Sequence, residues 1–143
     1  MSSGSQSSLV FLDTNIWLYA FIVDQDTNKS KKAKDLIRRS EVLISSQVIN
    51  EVCVNLIKKA KVDESSIQQI IEAFYSKYRI GVIDRALLLR ASDLRETWQF
   101  SFWDSLIVSS ALAGGAEILF SEDMNDGLSI ENRLKISNPF AVK

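Results

Sequence analysis

Four carboxylates stand along this chain at places where a carboxylate is costly to keep. Asp13 ends the apolar run Leu9-Val10-Phe11-Leu12 and is followed by Thr14-Asn15. Glu51 lies inside the apolar-rich stretch 48–57. Asp104 follows Phe102-Trp103 and precedes Ser105-Leu106-Ile107-Val108. Asp123 comes just after Ile118-Leu119-Phe120, with Ser121-Glu122 between. Desolvating a carboxylate is expensive unless something pairs with it, so acids at the ends of buried elements point to chemistry. The chain has no histidine, which excludes a histidine base or ligand. An all-oxygen site for a hard divalent cation is the economical reading.

The elements that must position these acids follow from the pattern of apolar residues. Residues 9–12 read as a strand buried on both faces, because the run does not alternate. Residues 14–23 suit a buried helix with Asp13 as its N-cap. Residues 27–39 form a charged helix with Ala33, Leu36 and Ile37 turned inward, and 41–44 a second strand. In a helix over 46–60, Ile49, Val52, Cys53, Leu56 and Ile57 form one stripe, and Glu51 lies on the other side. A helix over 65–78, a strand over 80–83, helices over 85–96 and 102–113, and strands over 118–120 and 134–136 complete the order. Gly114-Gly115 stops the last helix. Strands alternating with helices predict a three-layer α/β/α sandwich with a central, mostly parallel sheet of four to five strands.

In such a sheet Asp13 and Asp123 both lie past the C-terminal ends of strands, the edge where open α/β folds bind ligands. Asp104 begins a helix that can start at the same edge, and Glu51 is one turn into another. Each acid also has a purely structural reading. Asp13 can cap the next helix, and Asp104 completes an S-x-x-D capping box from Ser101. Glu51, with Asn55 and Lys58, can belong to a solvated helix face, and Asp123 to a turn. One shared site accounts for all four together.

Length and composition fit a single globular domain: 143 residues, 46% hydrophobic and 24% charged. The domain is expected over 9–143, after a flexible tail over 1–8 (Met-Ser-Ser-Gly-Ser-Gln-Ser-Ser), which has neither the basic start nor the apolar core of a signal peptide. Net charge is −1, so no global basic field advertises a nucleic-acid partner. Cys53 is the single cysteine, which rules out an internal disulfide and fits a reducing cytoplasm. No apolar run approaches the roughly 20 residues of a membrane span.

The chain resembles the PIN-domain family, and within it the small VapC-like toxin ribonucleases, over nearly its whole length. The likeness rests on Val10-Phe11-Leu12-Asp13-Thr14-Asn15, on Ser45-Ser46-Gln47-Val48-Ile49-Asn50-Glu51-Val52 and on Ser101-Phe102-Trp103-Asp104-Ser105-Leu106-Ile107-Val108. It continues through Ile118-Leu119-Phe120-Ser121-Glu122-Asp123-Met124-Asn125-Asp126-Gly127 to the ending Asn138-Pro139-Phe140. The resemblance implies a metal-dependent endoribonuclease, the toxin of a type II toxin-antitoxin pair. Asp13, Glu51, Asp104 and Asp123 match the family's four catalytic, metal-binding acids. Thr14 or Asn15 matches the polar neighbour of the first ligand, Ser121 the small hydroxyl residue beside the site, and Asp126 an auxiliary acid. It also implies a homodimer and a cognate antitoxin protein.

Four carboxylates together require cations, or else protons retained through mutual repulsion. One or two Mg²⁺ or Mn²⁺ would relieve the charge. In a two-metal site about 4 Å across, one ion would activate water and the other would stabilise the leaving oxygen, giving 5′-phosphate and 3′-hydroxyl ends. RNA needs cations near such a site. Candidates are Lys29, Lys31, Lys32, Lys34, Arg38 and Arg39, with Lys58, Lys59 and Lys61. Trp17, Trp98 and Trp103 are able to stack bases, but at apolar helical positions they are expected in the core or at an interface. The first helix and the 65–78 helix are the candidate dimer surfaces.

Three competing readings are weaker. A phosphoacceptor receiver would want an acidic pair at the first strand and a lysine after a late one, where Ser121-Glu122-Asp123 stands instead. A dinucleotide enzyme lacks its G-x-G-x-x-G. An RNA-processing or binding-only PIN scaffold without a toxin role shares the fold and is the principal alternative.

Overall fold

A computed structural model of the chain describes residues 8–22 and 26–141. The expected tail over 1–8 falls, except for Ser8, outside the described residues, as does Val23 at the end of the expected first helix. The elements run β1 (Leu9–Leu12), α1 (Thr14–Phe21), α2 (Thr27–Arg39), β2 (Glu41–Ser45), α3 (Ser46–Ala60), α4 (Glu64–Lys77) and β3 (Arg79–Gly81). They continue with α5 (Arg85–Trp98), α6 (Phe102–Ala113), β4 (Ile118–Phe120), β5 (Ser129–Ile130) and β6 (Leu134–Ser137).

The strands form one sheet in the order β3-β2-β1-β4-β6-β5. All neighbours pair in parallel except β5 and β6, which form an antiparallel edge. The α/β class with a mostly parallel, helix-flanked sheet is as the sequence predicts. The additional strand is the two-residue β5, too short to carry a periodic signal of its own.

Chain direction explains the layers. From β1 the chain steps outward through β2 to β3, and then returns past β1 to β4. Right-handed crossovers therefore place α1–α4 on one face and α5–α6 on the other. The order reverses between β1 and β4, which makes their C-terminal ends the switch-point crevice. Register fixes that edge at residue level: Leu12 pairs with Phe120, and the Asp13 N–H donates to the Phe120 carbonyl at 3.0 Å.

The core is built on β1, whose Phe11 and Leu12 are wholly buried, with Ile44, Leu119 and Ile136 from the neighbouring strands. Helix α6 is the most deeply embedded, with every residue from Ser105 to Leu112 buried. At its end Gly114 lies against Leu43, where a β-carbon would come within 2.2 Å of a Leu43 methyl. Trp17 is in the core, edge-on to Phe74 at 5.1 Å. Ile57, assigned to the buried stripe of α3, is instead 39% exposed because α3 ends in the next turn. Trp103 is 45% exposed on the first turn of α6, which leaves it the interface position rather than the core. Among the described residues no helix is long and apolar enough to cross a membrane.

Candidate active site

Asp13 leaves β1 and caps α1, its Oδ1 accepting from the Thr14 N–H at 2.7 Å. Its other oxygen accepts from the Ser121 hydroxyl at 2.8 Å. Ser121 is fully buried and follows Phe120, the register partner of Leu12, so strand pairing itself delivers this donor. Both carboxylate oxygens are thus held, and the plane of the group is set.

Thr14 serves Glu51 through its side chain. Its hydroxyl donates to Glu51 Oε1 at 2.8 Å, which turns the half-buried Glu51 of α3 toward the end of β1. Asn15 reaches the opposite way and donates to Asp123 Oδ2 at 2.8 Å. Asp104 enters from the other face of the sheet, in the first turn of α6, where the Ser101 hydroxyl accepts from the Asp104 N–H at 3.1 Å. The helix start is a favourable end of the dipole for an anion.

The four acids feel one another. Burial, above all, pushes the Asp13 carboxyl above the ordinary carboxylate range; repulsion from Asp104 and Glu51 adds to it, while the Ser121 and Thr14 donors oppose it. Asp104 is raised too, first by burial and then by repulsion from Asp123 and Glu51, against the pull of Ser101. Among the described residues, however, no three acidic side chains are drawn together closely enough to hold one ion. Electrostatics and geometry therefore differ: the acids share a field while each keeps its own hydrogen-bond partners. The all-oxygen donor set suits a hard cation better than a soft one.

Asp126 is placed differently from the four. Its carboxylate accepts from the Asn138 N–H at 2.8 Å, where it steadies the turn into Pro139. Lys29 forms an ion pair with Glu122, and the Tyr19 hydroxyl donates to the same carboxylate at 2.8 Å. Sequence reasoning could not find this cluster, since 93 residues separate Lys29 from Glu122. It also missed Gln47, which is 7% exposed with neither amide atom paired among the described residues. Gln47 lies one helical turn before Glu51 on the same face of α3.

Comparison with known proteins agrees with this architecture. The PIN domain family model matches residues 10–125. No curated protein sequence matches the chain. Among solved structures, a toxin-antitoxin complex from Klebsiella pneumoniae superposes with a TM-score of 0.68 at 21% identity, covering 93% of this chain and 99% of that one. VapC20 from Mycobacterium tuberculosis, described as a sarcin-ricin loop cleaving toxin, gives 0.64 at 18% identity, over 80% and 91%. VapBC2 from Rickettsia felis, bound to a promoter DNA fragment, gives 0.62 at 24% identity, over 91% and 98%. At these identities the structural likeness speaks for the fold.

Proposed function

Since the chain belongs to the PIN-domain family, we propose that it is a metal-dependent endoribonuclease acting as the toxin of a toxin-antitoxin pair. What supports this reading is the hydrogen-bonding at the sheet's switch point, where Ser121 and Thr14 hold Asp13, Thr14 holds Glu51 and Asn15 holds Asp123, with Asp104 in the first turn of α6. The four come from separate elements, and two of them approach from opposite faces of the sheet. Likeness in fold to toxins, one of them described as cleaving the sarcin-ricin loop, supports the same reading.

One or two Mg²⁺ or Mn²⁺, when bound, would supply a Lewis acid that activates water and offsets phosphate charge. The four carboxylates would hold them. Asp13 is the pivot, because Ser121 and Thr14 fix both its oxygens. Thr14 and Asn15 aim the Glu51 and Asp123 carboxylates from one turn of α1. The products would carry 5′-phosphate and 3′-hydroxyl ends.

RNA has to be drawn to this acidic edge by cations. Lys59 is the best placed, since it lines a cleft of about 430 Å³ together with Asn15, Leu18, Tyr19 and Asp26. A homodimer and a protein antitoxin belong to the same reading. Leu88 and Leu89 on α5 and Phe102 and Trp103 on α6 are large apolar side chains left exposed and open to a second chain. The first helix and α4, the dimer surfaces expected from sequence, share an apolar cleft lined by Trp17, Ala20, Phe21, Ile70, Phe74 and Tyr78.

An RNA-processing or binding-only PIN scaffold without a toxin role is the alternative. Purified wild type and Asp104→Asn, incubated with cellular RNA in Mg²⁺, Mn²⁺ or EDTA, decide between the two. Metal-dependent cleavage that disappears in the variant establishes the nuclease. Cleavage ending in 2′,3′-cyclic phosphate would contradict the hydrolytic route, and no cleavage under any condition would favour the scaffold.

A further inference from the structure

Three consecutive residues after β4 are each tied to a different partner. Ser121 donates to Asp13 at 2.8 Å, Asp123 accepts from Asn15 at 2.8 Å, and Glu122 between them turns away toward α1 and α2. One Glu122 oxygen accepts from the Tyr19 hydroxyl and the other from the Lys29 ammonium. Lys29 also contacts Tyr19 directly, at 3.4 Å from its hydroxyl. The ammonium stands 5.0 Å from the Tyr19 ring centre and 5.4 Å from that of Phe140, and the two rings meet edge to face at 5.2 Å. The side chains of Lys29 and Glu122 are 32% and 20% exposed, so this is a half-buried pair with hydrogen bonds and cation–π contacts around it.

Lys29 sits in the first turn of α2, the end of the helix dipole that disfavours cations; there the N-cap Asp26 carboxylate accepts from the Lys29 N–H at 3.1 Å, while the ammonium reaches away to Glu122. Asp123, for its part, is exposed, and Asn15 is its side-chain donor in the site. Glu122, the residue before it, is less exposed and has two side-chain donors where Asp123 has one.

We infer that Glu122 is a positioning residue, clamped by Lys29 and Tyr19, that holds the Ser121–Asp123 turn in register with Asp13. The inference rests on the nuclease reading for its consequence, since the clamp matters by fixing Asp123 beside the other acids. It also reassigns Lys29, a candidate RNA-binding cation by sequence, to the frame of the site.

The test uses the full chain with Glu122→Gln, Lys29→Met and Lys29→Arg. Three quantities are read: Mn²⁺ affinity by titration, hydrogen exchange of the 121–124 segment in metal-free protein, and kcat against KM for RNA cleavage. The clamp predicts faster exchange and Mn²⁺ binding weakened about 10-fold in Glu122→Gln and Lys29→Met, the range found for residues that orient ligands. It predicts that kcat falls while KM stays within about twofold, and that Lys29→Arg restores all three. An RNA-binding Lys29 would give the opposite pattern: Lys29→Met raises KM alone, Glu122→Gln lowers it, and exchange is unchanged. That pattern overturns the inference. If wild type neither binds Mn²⁺ nor cleaves RNA, the nuclease reading fails, and the exchange measurement still decides the clamp. Unchanged exchange then overturns it as well.

Discussion

The Thr14 hydroxyl lies 2.8 Å from Oε1 of Glu51, a bond that spans 37 residues and joins the first turn of α1 to the middle of α3. It explains how an acid on the polar side of an amphipathic helix comes to face the sheet edge. Because Thr14 also gives its backbone N–H to Asp13, one residue orients two of the four acids.

Thr14→Val removes the hydroxyl and keeps the branched shape. Glu51 then loses its donor while Asp13 keeps the backbone one. Mn²⁺ affinity should fall about 10-fold, as for other residues that orient a ligand, with stability lowered by only about 1 kcal/mol. Calorimetric Mn²⁺ titration and urea unfolding measure the two. Unchanged affinity would show that Glu51 does not need this bond.

The raised Asp13 and Asp104 carboxyls make a signed prediction about pH. A carboxyl whose pKa is higher in the folded chain than in the unfolded one destabilises the fold while both states are ionised. The penalty is fully present above the folded value, shrinks as pH falls through it, and is gone below the unfolded value of 3.8. Metal-free protein should therefore shed this penalty progressively as pH falls through the raised folded value toward 3.8. At neutral pH, Asp104→Asn should melt higher than metal-free wild type, since it removes one charge from the cluster. Mg²⁺ should raise the melting temperature of wild type by more than that of the variant. Melting curves with EDTA and with Mg²⁺ check both, and a variant that melts lower in EDTA would refute the repulsion argument.

Much of this arrangement is legible in the amino-acid sequence, and the boundary of what is legible has physical causes. The bounds of β1, α2, α3, α6 and β4 follow from apolar runs and caps, all of which act within a few residues. Asp13 and Asp123 can be brought to one edge because parallel strands share their C-terminal side. Glu51 can be placed only on the polar face of α3, because its partner Thr14 lies in another element. The Lys29–Glu122 pair is hidden for the same reason, so a lysine with a structural partner looks like a solvated one. Ile57 departs from expectation because periodicity does not tell where a helix emerges from its layer.

Gln47 offers a stability test. Its side chain is buried, and neither Oε1 nor Nε2 has a partner among the described residues. An unpaired buried amide costs on the order of 1–3 kcal/mol, so an apolar side chain of similar volume should fit better. Gln47→Leu and Gln47→Met should raise the free energy of unfolding by about 1 kcal/mol in urea. A loss of stability in both would mean that the amide is satisfied in solution by an enclosed water, which the substitutions expel.

Lys59 offers the sharpest separation among the candidate cations. Lys31, Lys32 and Lys34 are exposed on α2, and Arg38 and Arg39 both pair with Asp35 on that helix. Lys59 is exposed too, but it borders the cleft that opens on Asn15, the residue that holds Asp123. A phosphate bound there would lie beside the acids rather than behind them. Each phosphate neutralised on a single strand adds about 0.7 to the slope of log affinity against log salt. Lys59→Ala should therefore weaken RNA binding and flatten that slope by about 0.7. Lys34→Ala should leave both unchanged. The comparison is best made on Asp104→Asn protein, which keeps the RNA intact while binding is measured by fluorescence anisotropy from low to moderate salt. Equal effects from the two lysines would mean that RNA is held by diffuse charge and that the cleft beside Asn15 does not guide it.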